Sequence, residues 1–190
     1  MSRYYQGPVS SHFDGERFFN PLRSPPRGQW DLLRWNIDRR RGKRVKWPDW
    51  APSPYADRPP ARVEGRAVRI SYIGHASFLI QTAGHNVLLD PVWSQRASPF
   101  RRAGPKRVND PGIAFVDLPP IDAVLVSHGH YDHLDVATLS RIAAGHRARI
   151  ITPLGNDTIM RDHDRSIAAE GHDWDDRVDR SEERRVGKEC

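Results

Sequence analysis

Six consecutive residues, His128-Gly129-His130-Tyr131-Asp132-His133, carry three imidazoles and a carboxylate, and they follow the apolar, β-branched run Ile121-Asp122-Ala123-Val124-Leu125-Val126. The run reads as a buried strand and Asp135 onward as a helix start, so the cluster is predicted on a strand-to-helix turn. In extended backbone alternate side chains face one way, and His128 and His130 can then reach one ion at about 2.0–2.1 Å. Asp132 and His133 come where the chain turns and suit a second ion roughly 3.5–4 Å away. With no thiolate among them, these ligands favour zinc, while iron and manganese accept the same mixed imidazole and carboxylate set. The bland alternative is a polar, solvated turn. Against it stands the crowding of four such groups behind a buried strand, which has no electrostatic reason without a cation.

The pattern H-x-H-x-D-H behind an apolar strand resembles the signature of the metallo-β-lactamase superfamily. Three further stretches, Ser71-Tyr72-Ile73-Gly74-His75-Ala76-Ser77-Phe78, Leu88-Leu89-Asp90-Pro91-Val92-Trp93 and Gly104-Pro105-Lys106-Arg107, are similar to the branch that contains the N-acyl-phosphatidylethanolamine-hydrolysing phospholipase D. The likeness spans residues 4–178. It implies an α/β fold, the αββα sandwich, of which this chain carries the amino-terminal half with the second half missing. It also implies two divalent metal ions, zinc by preference, at one edge of the sandwich, and a hydroxide shared between them that attacks a phosphodiester.

On this reading His128, His130, Asp132 and His133 are metal ligands, and Asp132 doubles as the catalytic residue, able to accept a proton from the attacking water. The resemblance also puts a carboxylate near the metals at the position of Asp90, where it would orient a ligand imidazole; an Asp before Pro91 equally suits a turn cap. His75, behind Gly74 at a strand end, either lines the pocket or is a hydrogen-bonded structural histidine. The later His, Asp and His that complete such sites have no counterparts here, and the next is expected beyond Val178; His172 comes too early.

The pattern of elements agrees with a sheet-opening domain. Val68, Ile70 and Tyr72 alternate with polar residues, and the stretches 77–81 and 86–90 flank Ala83-Gly84-His85, which predicts an antiparallel meander. Asp135 can cap a helix ending at Gly145, residues 148–152 read as a strand, and Asn156 can cap a second helix.

Three segments follow. Residues 1–62 hold 13 Lys and Arg against 6 Asp and Glu, a surplus of seven cations where the whole chain has +6, and 9 of the 16 prolines. This basic arm is expected to wrap irregularly, with one helix from Gln29 to Arg41. In that helix Trp30, Leu33 and Ile37 share a face broadened by Leu32 and Trp35, with Arg34, Arg39, Arg40 and Arg41 outside it. The face either lies in a lipid headgroup interface or packs on the domain. Residues 63–179 form the amino-terminal part of the metallo-β-lactamase-like domain. Residues 180–190 resemble a translated sequencing adapter and are set aside from fold reasoning. The single cysteine, Cys190, belongs to that tail, which leaves neither a disulfide framework nor a thiolate metal site.

The loop over residues 94–111 is long enough to be functional. Its Arg101, Arg102, Lys106 and Arg107 are candidates to hold a substrate phosphate, with a solvated basic loop as the alternative. The amino terminus does not resemble a signal peptide, and no apolar run reaches the roughly 18 residues a membrane span needs. A cytoplasmic protein with peripheral membrane contact is therefore expected.

The favoured function is a zinc phosphodiesterase of phospholipase D type acting on a phospholipid or another phosphodiester. The alternatives are another hydrolase of the same fold, a nuclease or lactonase, or an inactive truncated fragment. No nucleic-acid partner is expected, because no interleaved aromatic and basic stacking surface is apparent. Half a sandwich leaves an apolar sheet face uncovered, so the 190-residue chain is expected to be inactive and poorly soluble.

Overall fold

The computed structural model describes residues 3–20, 28–42, 48–54, 56–100 and 102–179. Arg101 and the tail at residues 180–190 lie outside the described residues. In the arm, α1 (Gln29–Arg41) has no buried residue. The meander follows as β1 (Val68–Gly74), β2 (Ser77–Thr82) and β3 (His85–Leu89), paired antiparallel in sequence order. The β2–β3 connection turns on Ala83 and Gly84, at φ 48° and 74°. Two successive positive φ values let a two-residue hairpin follow the right-handed twist of its strands.

Beyond β3 the pairing changes sense. β4 (Ala123–Leu125), β5 (Arg149–Pro153) and β6 (Ala169–His172) add in parallel, giving a six-stranded mixed sheet in the order β1-β2-β3-β4-β5-β6. The crossovers contain α2 (Val136–Gly145), between β4 and β5, and α3 (Asn156–His163), between β5 and β6. Only β2 runs against the rest, so the carboxyl ends of β1, β3, β4, β5 and β6 gather at one edge of the sheet. In sheets of this kind that edge is where ligands bind.

The pleat sorts the strands into two unlike faces. Ser71, Leu79, Leu88, Val124, Ile150 and Ala169 stand in register across the sheet, and all are buried. Leu139 and Ile142 of α2, Met160 of α3 and Ile113, Leu134 and Ile167 from the connections complete that core. Each buried Leu, Ile, Val or Met among them contributes roughly 1.5–3 kcal/mol by leaving water.

On the other face Tyr72, Phe78, Leu89, Leu125 and Ile151 form the matching register row. Ile70 on that face is 63% exposed and Tyr72 47%. A two-sheet sandwich buries such a face against a second sheet about 10 Å away. At the far end of the sheet, Gln81 and Asn86 donate to the carbonyls of Pro60 and Ala61, and Arg62 pairs with Asp122. The arm is thereby stitched to the sheet where it ends.

The helix starts differ from one another. Asp135 caps α2 by accepting from the Thr138 amide, as expected. Asn156, expected to cap the next helix, is instead its first residue. Gly155, at φ 88°, takes the cap position, and its N–H donates to Asp157 at 3.1 Å while the Asn156 amide donates to Thr152 Oγ1 at 3.1 Å. A left-handed glycine reverses the chain so tightly that the asparagine has already entered the helix.

His146, just past α2, accepts the Ile121 N–H on Nδ1 at 3.2 Å, and burial holds its pKa below the ordinary 6.5. The folded chain therefore prefers the neutral ring, while the unfolded chain takes up a proton near 6.5. This contribution is complete above that value and lost as the pH falls through the depressed folded pKa. Thermal melts from pH 7.5 to about 5 should show the melting temperature dropping on acidification. His146→Asn keeps an acceptor that cannot be protonated and should flatten that slope; an unchanged slope contradicts the assignment.

Candidate metal centre

Asp90 lies one residue past β3, at φ 43°, with its N–H donating to the Leu125 carbonyl of β4 at 2.8 Å. Its buried carboxylate reaches across to the strand beside it. Oδ1 accepts the Ser127 N–H at 2.7 Å, and Oδ2 accepts the Ser127 hydroxyl at 2.7 Å and faces His133 Nδ1 at 2.8 Å. A carboxylate on Nδ1 fixes the imidazole tautomer and frees Nε2 as a donor to a metal.

The cluster itself is less extended than its spacing suggests. β4 ends at Leu125, the backbone bends at Gly129 and His130, and the N–H groups of His133 and Leu134 donate to the His130 carbonyl at 2.9 and 2.7 Å. A Cβ on Gly129 would stand 2.9 Å from Asn156 Oδ1, so the bend needs glycine to pack against the start of α3. His128 Nε2 and His130 Nδ1 nevertheless face each other at 2.9 Å. Two ligand atoms on one tetrahedral ion at 2.0–2.1 Å stand about 3.3 Å apart, so this pair fits a shared metal. Burial holds the His128 pKa below its ordinary value, and the neighbouring His133 and His130 add to the effect. A neutral ring with a free lone pair is the ligating form.

The other ligands meet a residue from the first strand. His75, at φ 52° in the β1–β2 turn, brings Nε2 to 2.9 Å from Asp132 Oδ2. One donor atom each from His75, Asp132 and His133 lies within 4.8 Å of the others. Burial alone would raise the Asp132 carboxyl, but its own backbone amide, His133 and the His75 hydrogen bond outweigh it and hold the pKa below the usual carboxylate value. His128 with His130, and Asp132 with His133 and His75, thus gather imidazole and carboxylate donors in one place, a set that fits the chemistry of a divalent metal.

A pair of opposite charges holds the wall behind this centre. The buried Asp135 carboxylate accepts the N–H groups of Trp93 and Ser94 and the hydroxyls of Ser94 and Thr138, at 2.6–3.2 Å. From the other side Arg107 Nη2 donates to the Val92 carbonyl at 2.7 Å. A Cβ on Gly74 would meet Arg107 Nη1 at 3.0 Å, so that glycine admits the guanidinium. Sequence reasoning found Asp135 only as a helix cap, because its tie to residues 93–94 is about forty positions away and leaves no local signal.

A cavity of about 760 Å³ opens beside the centre, with His75, Lys106, Arg107, His130, Tyr131 and Asp132 in its lining. A second, of about 850 Å³, lies between the basic loop and the ends of α2 and α3; Ser94, Gln95 and Tyr131 border both. Of the phosphate candidates, Lys106 and Arg107 line the metal-side cavity and Arg102 does not. Arg101 lies outside the described residues.

A family model described as a β-lactamase superfamily domain matches residues 85–186. An uncharacterised protein of Mycobacterium tuberculosis is 41% identical over 105 residues, which are 55% of this chain and 28% of that protein. N-acyl-phosphatidylethanolamine-hydrolyzing phospholipase D 1 of Caenorhabditis elegans is 39% identical over 102 residues, 53% of this chain and 28% of the relative. A protein named as a metal-dependent hydrolase in Anaeromyxobacter is 38% identical over 84 residues, 44% of this chain and 26% of its own length. The chain thus spans little more than a quarter of these curated relatives.

Asp90→Ala should leave His133 without its hydrogen-bonded anchor. Titration calorimetry is expected to read a metal affinity about 10- to 100-fold lower than that of the parent chain. Equal affinities would remove Asp90 from the centre.

Proposed function

The chain belongs to the β-lactamase superfamily, and from that premise we propose that the whole protein is a metal-dependent hydrolase of phosphodiesters, with N-acyl-phosphatidylethanolamine-like lipids as its substrate class. The observation that carries the reading is the meeting of His128 and His130 with Asp132, His133 and His75 beside a cavity that also holds Lys106. The lipid class is suggested by the similarity to the Caenorhabditis elegans phospholipase. Bound divalent ions would lower the pKa of a coordinated water toward neutrality and offset the charge that grows on phosphoryl oxygens.

The residues divide the remaining work. His128, His130, Asp132 and His133 are ligands, with Asp90 holding the His133 ring. Asp132, ionised and hydrogen-bonded to His75, is the group placed to accept a proton from the attacking water. Lys106 supplies a cation in the cavity lining, suited to a phosphate. Arg107 has one arm committed to the Val92 carbonyl, so its first role is to hold that wall. No serine or cysteine nucleophile is required. Zinc remains the metal best matched to the donors, with iron and manganese also compatible.

The whole protein, metal-loaded and assayed against a panel of lipid and nucleotide phosphodiesters and lactones, should hydrolyse the N-acylated phospholipid to phosphatidic acid and an N-acylethanolamine. Metal analysis should find two ions per chain. Asp132→Ala is expected to reduce turnover by roughly 10²–10⁴-fold, and His130→Ala to lose metal and activity together. Hydrolysis confined to nucleotides or lactones would replace the substrate class; undiminished turnover in both variants would overturn the site.

A further inference from the structure

Glycine stands at position 129 for a reason that its own backbone does not supply. Its φ is not positive, so the conformation there suits an L side chain. The obstacle is a neighbour. A Cβ at this position would lie 2.9 Å from Asn156 Oδ1, with Asn156 Cγ next at 3.8 Å and Ile159 Cδ1 at 3.9 Å. The two longer contacts are ordinary packing, so one carboxamide oxygen is all that stands against alanine.

A free carboxamide would swing aside, but this one is held. Asn156 Nδ2 donates to Thr152 Oγ1 at 3.1 Å, and Thr152 is buried in β5. The turn that carries Asn156 is fixed on two further sides. The Leu154 N–H donates to the His172 carbonyl of β6 at 3.0 Å. A Cβ on Gly155 would touch the Tyr4 carbonyl oxygen at 3.5 Å and Tyr5 Cβ at 3.6 Å. The segment that brings those tyrosines there is itself anchored. Phe13 is buried, with its ring centroid 4.9 Å from that of Tyr5, and the buried His12 ring lies 4.3 Å from Trp174, just past β6. The amino-terminal segment thus clasps the ends of β5 and β6 from outside.

β4 and β5 are parallel neighbours, so the turns that leave them stand side by side. The turn after β4 carries the imidazoles, and the turn after β5 presents Asn156 to its bend. On one side of that bend Ser127 is tied to Asp90, and on the other the His133 and Leu134 N–H groups are tied to the His130 carbonyl. Gly129 lies between these ties, flanked by the two rings whose Nε2 and Nδ1 atoms meet at 2.9 Å.

We infer that Asn156 is a positioning residue for the metal centre: its carboxamide, fixed on Thr152, sets the bend at Gly129 and with it the convergence of His128 and His130. The role rests on the metal reading for its purpose. One of its tests needs no metal, so either can fail alone.

Zinc affinity of the whole protein, measured by competition with a chromophoric chelator, is paired with the visible spectrum of the cobalt(II) form, which reports coordination geometry. Asn156→Ala should weaken zinc binding by about tenfold and Gly129→Ala by about 10- to 100-fold, each with an altered cobalt spectrum. The double variant G129A/N156A should bind within about threefold of the parent and recover its spectrum, because the added methyl then meets nothing nearer than Ile159 Cδ1 at 3.9 Å. In the metal-free protein, Asn156→Ala should speed amide hydrogen exchange at His133 and Leu134 and leave β2 and β3 at parental rates. Parental affinity and spectrum in both single variants overturn the inference. So does a double variant whose loss is the product of the single losses, since the two residues would then act independently. Exchange quickened throughout the sheet also overturns it, because Asn156 would then merely stabilise the fold. A parent that takes up no zinc overturns the metal reading, and exchange at His133 and Leu134 then decides the bend by itself.

Discussion

At the carboxyl ends of β3 and β4 the two strands are joined by one more contact than their ladder supplies, the Asp90 carboxylate on Ser127 and His133. A buried carboxylate is costly unless it is fully hydrogen-bonded, and every partner that satisfies this one belongs to the turn that carries the imidazoles. Folding of the sheet edge and alignment of the ligands are therefore one event. The same edge receives His75 from β1, because the antiparallel excursion through β2 leaves β1 and β3 running the same way. A site drawn from three strand ends acquires its geometry from the pleat and twist of the sheet rather than from a flexible loop.

Much of this was legible in the chain, and what escaped has a common cause. Alternation marked the meander, a β-branched run marked β4, and Asp135 with Gly145 bracketed α2, since each signal is local. The short strand β6, Ala169-Glu170-Gly171-His172, carries neither alternation nor β-branched residues and is held by its parallel neighbour. The His128–His130 spacing pointed to a shared ion through an argument from extended backbone, yet the chain bends there and the rings still converge. His75 could be read only as a pocket or structural residue because its partner, Asp132, is 57 positions distant.

The two faces of the sheet carry different information. One is closed by α2 and α3 over a continuous core, while the other presents Tyr72, Phe78, Leu89, Leu125 and Ile151 without a helix over them among the described residues. Strands with apolar residues on both faces belong to the interior of a layered domain. That character accords with a chain that spans little more than a quarter of its curated relatives.

The opposed charges of Asp135 and Arg107 have a bearing on how such a protein diversifies. They immobilise residues 92–94, the wall adjoining both cavities, and the neighbouring chain leaves it as a loop whose ends meet where Arg96 bridges to Lys106. Insertions or exchanges between those two ends would reshape what enters the cavities without disturbing the ligand geometry. Evolution could then rewrite substrate preference on that loop while the metal-bearing turn is inherited unchanged.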